Sequence, residues 1–391
     1  MSPLRTMDDV LLDGKRVIVR VDFNVTAGED GKVDDSEDYR IQAALPTIQE
    51  LRQKRCKVLL LAHLGRPGEE ESILSMDEVH RRLQDLLHDD VRMLPKLYGS
   101  QVESIVQGME QGDIALFPNV RLDDREVTLN QKFAEELAAM GDAYVNEAFS
   151  ASHRAHTSIV LLPQLLTSAA GRRTVQEVDV LTSLRVTAER PYVAIVSGGK
   201  ITTKIGILEY LLSTVDKMCL GGKIGNVFLA SQGKWPDTMF TPDELAVAKH
   251  IVEKYGEKIV LPIDVVVGND DGTYTQIIDV SYVPEHVGGV WDIGPKSVAA
   301  FLKTCEGAKT IVWNGPVGRV ETRAYAVGSA ALVEGLATHS GNRIVGGGDT
   351  VNMLEKMKKV DSFNHVSIGG GAMLEFLEGK RLPGLVALAA P

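Results

Sequence analysis

The sequence is poor in cysteine and has no long apolar run. Three cysteines, Cys56, Cys219 and Cys305, are spread over 391 residues and form no CxxC pair. Their spacing argues against a disulfide scaffold or a zinc module and is typical of a reducing compartment. No apolar run approaches the ~18 residues of a membrane span, and charges are scattered through residues 1–16 instead of an apolar leader. We therefore expect a cytoplasmic protein that does not interact with membranes.

The chain also lacks an excess of basic residues. Lys and Arg number 42 against 53 Asp and Glu, which gives a net charge of −11. Such a chain is a poor candidate for nucleic-acid binding, although it can hold a local basic pocket for an anionic small molecule. Its 44% hydrophobic and 24% charged residues are typical of a globular protein. At roughly 150 residues per domain, the length predicts two or three domains.

Short apolar runs alternate with helical patterns along the chain. Because this alternation implies parallel sheets covered on both faces, the two halves predict two Rossmann-like α/β domains. The segment 171–191 is predicted to be a connecting helix, and we place the domain boundary there. Strands are predicted at 17–21, 58–61, 114–117, 143–145, 192–196, 259–267, 310–313 and 343–345.

The helices are predicted from apolar spacing and from capping signals. Thr128 and Gln131 have the spacing of a capping box, as do Thr241 and Glu244. Pro242 fits the first helical position, and a glycine follows the end of that second helix. Helices are expected at 40–53, 203–215, 242–255, 296–304, 323–338 and 350–358, and after Thr128.

Polar residues follow the strands of the first half, where open α/β sheets bind ligands. A single arginine after a strand is usually solvated or in a structural ion pair, and Asp22 and Asn24 can equally be turn residues. Several arginines gathered there predict an anion site, because guanidinium groups match phosphate and carboxylate bidentately. The candidates are Asp22, Asn24, Arg40, His63, Gly65, Arg66, Arg121 and Arg154.

Three histidines raise the alternative of a metal site in the same half. His153 and His156 are three residues apart, and His63 follows an earlier strand. No cluster of carboxylates or cysteines accompanies them. Supporting or packing roles are therefore favoured over metal ligation.

Glycines follow the strands of the second half. The segment SGGKITTK (197–204) resembles a phosphate loop but is not a Walker motif, since Ala194 and Ile201 stand where Gly and Ser or Thr are required. Lys200 and Lys204 are four residues apart near a helix start. They can face one phosphate chain, or they can be two solvated surface lysines.

A second glycine-rich segment, GGGDT (346–350), opens a helix after a strand. Glycines let the backbone approach a phosphate, which the helix N–H groups then bind. Asp349 can cap this helix, or it can hold Mg²⁺ beside a polyphosphate. No complete GxGxxG follows any strand, which disfavours a nicotinamide-dependent dehydrogenase.

Segments in order over almost the whole chain resemble the phosphoglycerate kinases. They include RVDFNV (20–25), LAHLGRP (61–67), TIVWNGPVG (310–318) and VGGGDT (345–350). The resemblance implies reversible phosphoryl transfer from 1,3-bisphosphoglycerate to Mg-ADP, giving 3-phosphoglycerate and ATP. It also implies a monomer with small-molecule partners only. The alternative is a non-catalytic relative that binds 3-phosphoglycerate or partner proteins.

The resemblance further implies two domains joined by a hinge. Residues 1–170, completed by 379–391, would bind 3-phosphoglycerate, and residues 171–378 would form the hinge helix and the nucleotide domain. Arg40 and Lys200 would be catalytic, and Asp349 would bind Mg²⁺. The triose would be held by Asp22, Asn24, Arg40, His63, Gly65, Arg66, Arg121 and Arg154, and the nucleotide by Lys200, Lys204, Asn314, Glu321, Gly347, Gly348, Asp349 and Thr350.

The chain departs from the usual family pattern at a few positions. Glu147 replaces a common Asp, and Ser197 begins a loop that more often starts with Gly. Val290 and Trp291 stand in the expected adenine pocket, where Gly-Leu is usual. Ile368 replaces a common Thr near the expected hinge.

Overall fold

Two parallel six-stranded sheets, one in each half of the chain, organise the fold. The chain divides into two units, Met1–Val180 with Gly379–Pro391, and Leu181–Glu378. The predicted boundary at 170 lies ten residues before the division at 180, within the connecting helix. This computed structural model describes residues 4–26, 32–34, 37–65, 75–199, 201, 204–235, 239–281 and 289–389.

The sheet of the first unit has the order β3-β4-β2-β1-β5-β6, and every neighbouring pair is parallel. Both of its faces are buried, since Val19 packs into one hydrophobic core and Ile18 into another. The strands predicted for this half are β1, β2, β4 and β5. The six strands are β1 (Arg16–Val21), β2 (Lys57–Ala62), β3 (Arg92–Met93), β4 (Ile114–Leu116), β5 (Ala143–Asn146) and β6 (Thr167–Ala170).

Two helix predictions for this unit are wrong in detail. The single helix expected at 40–53 is two helices, and the second restarts with Pro46, which lacks an N–H, in its first turn. The expected cap at Thr128 is replaced by Asn130, whose side chain accepts a hydrogen bond from Phe133 N at 3.0 Å. The helices are α1 (Asp38–Gln42), α2 (Leu45–Gln53), α3 (Met76–Leu87), α4 (Ser100–Gln107), α5 (Gln131–Ala138) and α6 (Leu162–Leu165).

The parallel sheet of the second unit has the order β15-β14-β13-β7-β8-β9, beside a three-stranded antiparallel sheet, β11-β10-β12. The expected single strand 259–267 is wrong, because β9 and β10 belong to different sheets and Pro262 between them cannot donate a ladder hydrogen bond. The strands are β7 (Tyr192–Val196), β8 (Lys217–Leu220), β9 (Ile259–Val260), β10 (Asp264–Gly268), β11 (Thr275–Asp279), β12 (Gly289–Ile293), β13 (Thr310–Asn314), β14 (Asn342–Gly346) and β15 (His365–Ser367).

The helix α7 (Arg172–Val186) carries the chain from the first unit into the second. The capping box of Thr241 and Glu244 is confirmed, with Glu244 N donating to Thr241 Oγ1 at 3.3 Å. No helix within the described ranges is both long and apolar enough to cross a bilayer. The remaining helices are α8 (Ile205–Thr214), α9 (Gly222–Ser231), α10 (Pro242–Tyr255), α11 (Pro295–Cys305), α12 (Val327–Ala337), α13 (Gly348–Lys356), α14 (Gly371–Leu377) and α15 (Pro383–Ala387).

Candidate functional site

An ion pair joins the end of β1 to the start of α1 in the first unit. Arg40 donates through Nη1 to Asp22 Oδ2 at 3.1 Å and through Nε to Glu37 Oε2 at 2.8 Å. Ser150 Oγ donates to the same Asp22 oxygen at 2.6 Å. Burial lowers the pKa of Arg40, but the negative groups facing it, Asp22 first, outweigh burial and raise it. Arg40 is therefore a permanent, fixed positive charge.

The loop after β2 is fastened by side chains that follow two other strands. Gly65 N donates to Asn24 Oδ1 at 2.7 Å, and Arg121 Nη1 donates to Gly65 O at 2.6 Å. Asn119 holds both polar atoms of the Leu64 backbone, at 3.2 and 2.6 Å. The predicted residues Asn24, Gly65 and Arg121 thus come together at the carboxyl edge of the sheet.

A buried arginine, which sequence reasoning missed, lies beneath these loops. Arg20 is fully buried and donates through Nη2 to His63 Nδ1 at 3.2 Å. It also donates to Ser158 Oγ at 3.0 Å and to Val21 O at 2.7 Å. The signal was present in the sequence, because a charge inside the apolar run VIVRV must find polar partners if it is buried.

Two histidines of this site, His63 and His156, have lowered pKa values that favour the neutral ring. Burial, and then the charge of Arg20 followed by Arg121 and Arg154, holds the pKa of His63 well below its usual range. Burial and the same arginines lower the pKa of His156 to about 4. In the described part of the chain, no three His, Cys, Asp or Glu side chains gather as metal ligands. Arg20, Arg121 and Arg154 make the electrostatic potential of this site positive, and a bound anion would neutralise it.

Two of the predicted site residues, Arg66 and Lys200, lie outside the described residues. Arg154 lies beside His153, with its Nε 3.4 Å from the ring Nε2. Its effect on the pKa of His63 places it with the other arginines of the first unit.

A lysine joins two strand ends of the second unit. Lys204 Nζ donates to Ser197 O at 2.6 Å, after β7, and to Asn314 Oδ1 at 3.0 Å, at the end of β13. Both of these acceptors are neutral oxygens. Burial lowers the pKa of Lys204 to about 8, and the charge of Asp349 opposes this shift only in part. An anionic ligand would supply the missing countercharge.

The N-terminus of α13 lies beside this lysine's partner. Gly347 has φ +99° and caps the helix without a side chain; a Cβ there would lie 3.3 Å from Gly315 N and 3.4 Å from Asn314 Nδ2. The first N–H groups of a helix have no partner within the helix. Thr350 Oγ1 is buried and has no hydrogen-bond partner among the described residues. These donors form an anion site around a glycine backbone.

Two acidic side chains stand near this helix end, at the exposed rim of the site. Desolvation by the surrounding protein, and then the charge of Glu321, raises the pKa of Asp349. Lys204 lowers it in opposition. A cation bound at Asp349 would relieve both effects, so the carboxylate suits a ligand that brings positive charge.

A cavity of about 510 Å³ extends from the glycine-rich loop. Trp291, one of the departures from the family pattern, lines it and donates through Nε1 to Gly268 O at 3.0 Å. The Arg319 guanidinium lies 4.9 Å from the centre of the Trp291 ring. Val290 was also expected here, but sequence reasoning missed Trp235, Met239 and Phe240, because they lie in a segment remote in sequence from the strand ends. The cavity is lined, among others, by Trp235, Met239, Phe240, Val290, Glu321 and Asp349.

Comparisons of the sequence and of the fold with known proteins all point to the same family. The family model described as phosphoglycerate kinase matches residues 7–380. The chain is similar to proteins named phosphoglycerate kinase from Coprothermobacter proteolyticus, at 41% identity, and Moorella thermoacetica, at 40%, each alignment covering 98% of both chains. Its fold is similar to solved phosphoglycerate kinases from Coxiella burnetii (TM-score 0.80, 35% identity, 99% of both chains) and Pyrococcus horikoshii (TM-score 0.89, 26%, 98% of both chains).

Proposed function

Because the chain belongs to the phosphoglycerate kinase family, we propose that its two strand-end sites divide the substrates of that reaction. The enzyme transfers a phosphoryl group reversibly between 1,3-bisphosphoglycerate and ADP, giving 3-phosphoglycerate and ATP. The arginine-rich site of the first unit takes the acidic triose. The glycine-rich site of the second unit takes the nucleotide.

The main support for placing the nucleotide in the second unit is the set of hydrogen bonds that Lys204 makes. Its Nζ contacts two neutral oxygens, Ser197 O and Asn314 Oδ1, next to the open N-terminus of α13. A buried positive charge without a carboxylate in contact is costly unless a ligand brings the negative charge. The phosphates of a nucleotide bring that charge to this place.

The triose site is proposed to work through fixed donors. Arg121 and Arg154 would pair with the phosphate and the carboxylate, and Arg40 would support the transferring group. Asn24 and neutral His63 would add uncharged hydrogen bonds. Asp22 would orient Arg40 through their ion pair. Gly65 would let the substrate approach the loop backbone, and Arg66 is assigned to the same site by its motif alone.

The nucleotide site is proposed to combine backbone and side-chain donors. The N–H groups of Gly348 and Asp349 and the unpartnered Thr350 hydroxyl would bind the phosphates. Lys204 would hold them, and Lys200 would stabilise the group in transfer. Asn314 and Gly347 would complete the cradle, with Glu321 near the ribose.

Mg²⁺ fits the residues at this rim. Asp349 offers one carboxylate, which suits an ion that usually binds one or two carboxylates together with substrate phosphates and water. When bound, the ion would neutralise developing charge on the phosphate oxygens. The rise in the pKa of Asp349 from desolvation and Glu321 would be reversed by such an ion.

The transfer step needs no covalent enzyme intermediate. An oxygen of the terminal ADP phosphate attacks phosphorus, the bond from phosphorus to the acyl oxygen breaks, and the carboxylate of 3-phosphoglycerate leaves with the bonding electrons. The transition state is loose and anionic, so positioning and positive charge supply the catalysis. Arg40 and Lys200 are proposed to supply that charge.

The test is the reverse reaction, coupled to glyceraldehyde-3-phosphate dehydrogenase and followed by NADH loss. NADH should fall only when 3-phosphoglycerate, ATP and Mg²⁺ are all present. Lys204→Met and Lys200→Ala should each lower kcat/KM by roughly 10²-fold or more. Lys217→Met, a surface lysine bonded to Glu257 O, is the control. Retained turnover in Lys204→Met would contradict the role of Lys204, and no NADH loss with folded wild-type protein would contradict the substrate assignment.

Two further features are proposed from the family resemblance. We propose that the protein is a monomer and works in the cytoplasm. Sedimentation at micromolar concentration and fractionation of the source cells test these statements. Nothing in the comparisons supports the non-catalytic alternative, and membership of this family excludes the dehydrogenase.

A further inference from the structure

We propose that Arg20 is a positioning residue that fixes His63 as the Nε2–H tautomer, so that His63 serves the triose site as a neutral hydrogen-bond donor. The proposal rests on the proposed function for its substrate, but the tautomer itself is a property of the protein alone. Arg20 lies below the site and is assigned no contact with substrate.

The assignment of the tautomer follows from donor chemistry. The distance between Arg20 Nη2 and His63 Nδ1 is 3.2 Å. A guanidinium group has only donors, so Nδ1 of the ring must accept this hydrogen bond. The single proton of the neutral ring therefore sits on Nε2. A proton on Nε2 gives the ring a donor on the side away from Arg20, which an acceptor atom of a ligand can meet.

The neutral state of the ring follows from everything that surrounds it. Arg20 faces it from β1, Arg121 from the turn after β4, and Arg154 and His156 from the segment after β5. Burial and then these positive groups hold the pKa of His63 well below its usual range. A protonated ring would in addition place an N–H against the Arg20 guanidinium.

Arg20 can impose this tautomer because it is itself fixed. Its Nε donates to Ser158 Oγ at 3.0 Å, and Ser158 Oγ donates in turn to Glu126 Oε1 at 2.6 Å. Ser158 N donates to Glu126 Oε2 at 2.9 Å. Arg20, Ser158 and Glu126 are all fully buried. The chain from Glu126 to His63 thus has a defined donor at each link, and a single orientation for the guanidinium.

A neutral histidine with a fixed tautomer can orient an acidic substrate without adding to the charge of the site. The arginines already supply the positive charge, so His63 adds direction without adding a group that must gain or lose a proton. Because an N–H left without its acceptor is costly to bury, the donor also disfavours ligands that lack an acceptor oxygen at that point.

The experiment is a long-range ¹H–¹⁵N spectrum of full-length protein labelled with ¹⁵N-histidine, with His63→Gln to assign the signal. We expect the wild-type signal of a neutral ring with the proton on Nε2, unchanged between pH 6 and 8. In Arg20→Met the fixed tautomer should give way to a mixture. The KM for 3-phosphoglycerate should rise roughly tenfold, with the KM for ATP unchanged.

Two further variants guard against a merely structural effect. Ser158→Ala removes one hydrogen-bond partner of Arg20 but keeps the guanidinium group, so it replaces Arg20→Met as the test if that variant does not fold. Ser158→Ala should show part of the tautomer mixing and part of the rise in the KM for 3-phosphoglycerate. Arg16→Met is the matched control on the same strand, because it breaks the ion pair with Asp142. It should lower stability without changing the His63 signal.

The outcomes separate the two claims. A wild-type ring protonated on Nδ1, or on both nitrogens, overturns the proposal. An unchanged signal in Arg20→Met, or in Ser158→Ala where the first variant is unfolded, also overturns it. If the tautomer is as expected but His63→Gln leaves the KM for 3-phosphoglycerate unchanged, the role of Arg20 toward the ring is supported and the placement of the triose is wrong.

Discussion

The two strand-end sites are built from different materials. In the first unit, long charged side chains are buried and bonded to one another, as in the pair of Arg40 with Asp22. In the second unit, the candidate site is formed by the backbone of a glycine-rich turn and a helix N-terminus, and Lys204 bonds to the ends of two strands beside them. In the first site, Arg40 and Asp22 are held by each other's opposite charge, so removing one leaves the other without that partner. In the second site, glycines such as Gly198 have neighbours so close that an added side chain would collide with them.

This difference predicts different weak points. Removing one charge from the first site leaves a buried carboxylate without its partner, which lowers stability as well as activity. Adding one methyl group beside Lys204 in the second site should weaken nucleotide binding and cost less stability than removing a buried charge.

The largest effect is expected for Arg40→Met in the first unit. Asp22 and Glu37, each 2% exposed, would lose the guanidinium group that bonds to both of them. Breaking a buried pair typically costs about 3–5 kcal/mol in the free energy of unfolding, and kcat/KM should fall roughly 10²–10³-fold. Calorimetry and the coupled assay measure the two effects.

A matched comparison for Arg40 uses an exposed ion pair and a compensating change. Arg81→Met breaks pairs on the surface of α3 and should cost less than about 1 kcal/mol. Adding Asp22→Asn to Arg40→Met should recover part of the lost stability but none of the activity. Full stability in the single variant would contradict the contrast between the sites.

The next largest effect is expected for Gly198→Ala in the second unit. Gly198 has φ +145°, and a Cβ there would lie 2.9 Å from Lys204 Nζ. The methyl group would displace the lysine from its two oxygens, so the KM for the nucleotide should rise roughly 10–100-fold. The KM for 3-phosphoglycerate should stay the same.

The neighbouring residue gives the matched control for this change. A Cβ on Gly199 would meet no atom of the described residues within 4 Å, so Gly199→Ala should raise the nucleotide KM much less. Equal effects of the two alanines would show that neither the contact with Lys204 nor the positive φ of Gly198 decides the binding.

The sequence predicted much of this arrangement because periodicity and strand ends are local signals. The alternation of strands and helices is confirmed by the two parallel sheets. The strand-end residues could be predicted only as a group that shares one site, and not pair by pair, since Asp22 alone is equally typical of a turn. The two sheets that share the segment 259–267 could not be separated, because both strands are apolar and only Pro262 marks the break.

The partners of the buried Arg20 could not be identified from the sequence. Ser158, the partner of Arg20, lies 138 residues away in the chain. Nothing local in the segment around Glu126 indicates that its carboxylate is buried. The cavity in the second unit is likewise assembled from remote elements, as Trp235 and Trp291 show. Such contacts depend on tertiary packing, which a single sequence does not encode as a pattern.

A pH-dependent effect on stability is expected at Glu147, after β5. Its carboxylate accepts from Thr47 Oγ1 at 2.5 Å and from the first N–H groups of α7. Burial raises its pKa to about 7. Between its ordinary pKa near 4.5 and 7, the folded state therefore binds a proton that the unfolded state has released. Stability should fall as the pH rises through this range, by up to about 3 kcal/mol.

Glu147→Gln cannot ionise and should lose this dependence. The melting temperature of the variant relative to wild type should rise by several degrees from pH 5 to pH 8. Glu135→Gln, which removes an exposed carboxylate on α5, corrects for the general loss of negative charge. Parallel melting curves for wild type and Glu147→Gln would show that the buried carboxyl does not titrate in this range.

The smallest expected effect is the uptake of a proton when the nucleotide binds. It also distinguishes the two sites most clearly. Burial places the pKa of Lys204 near 8, so at pH 8 this lysine is about half protonated. Bound phosphates favour the charged form and raise that pKa, so Mg-ADP binding should take up about half a proton at pH 8 and almost none at pH 6.5. Titration calorimetry in buffers of different ionisation enthalpy measures the uptake. Lys204→Arg, which stays charged, should abolish it.

The same measurement with 3-phosphoglycerate completes the comparison. Burial and the neighbouring arginines keep the pKa of His63 well below its usual range and that of His156 at about 4. At pH 8 neither His63 nor His156 is therefore close to gaining a proton, and triose binding should proceed without uptake. Uptake of equal size for both ligands, or its persistence in Lys204→Arg, would mean that the titrating group is shared or lies elsewhere, and that the two sites differ less in their electrostatics than their construction indicates.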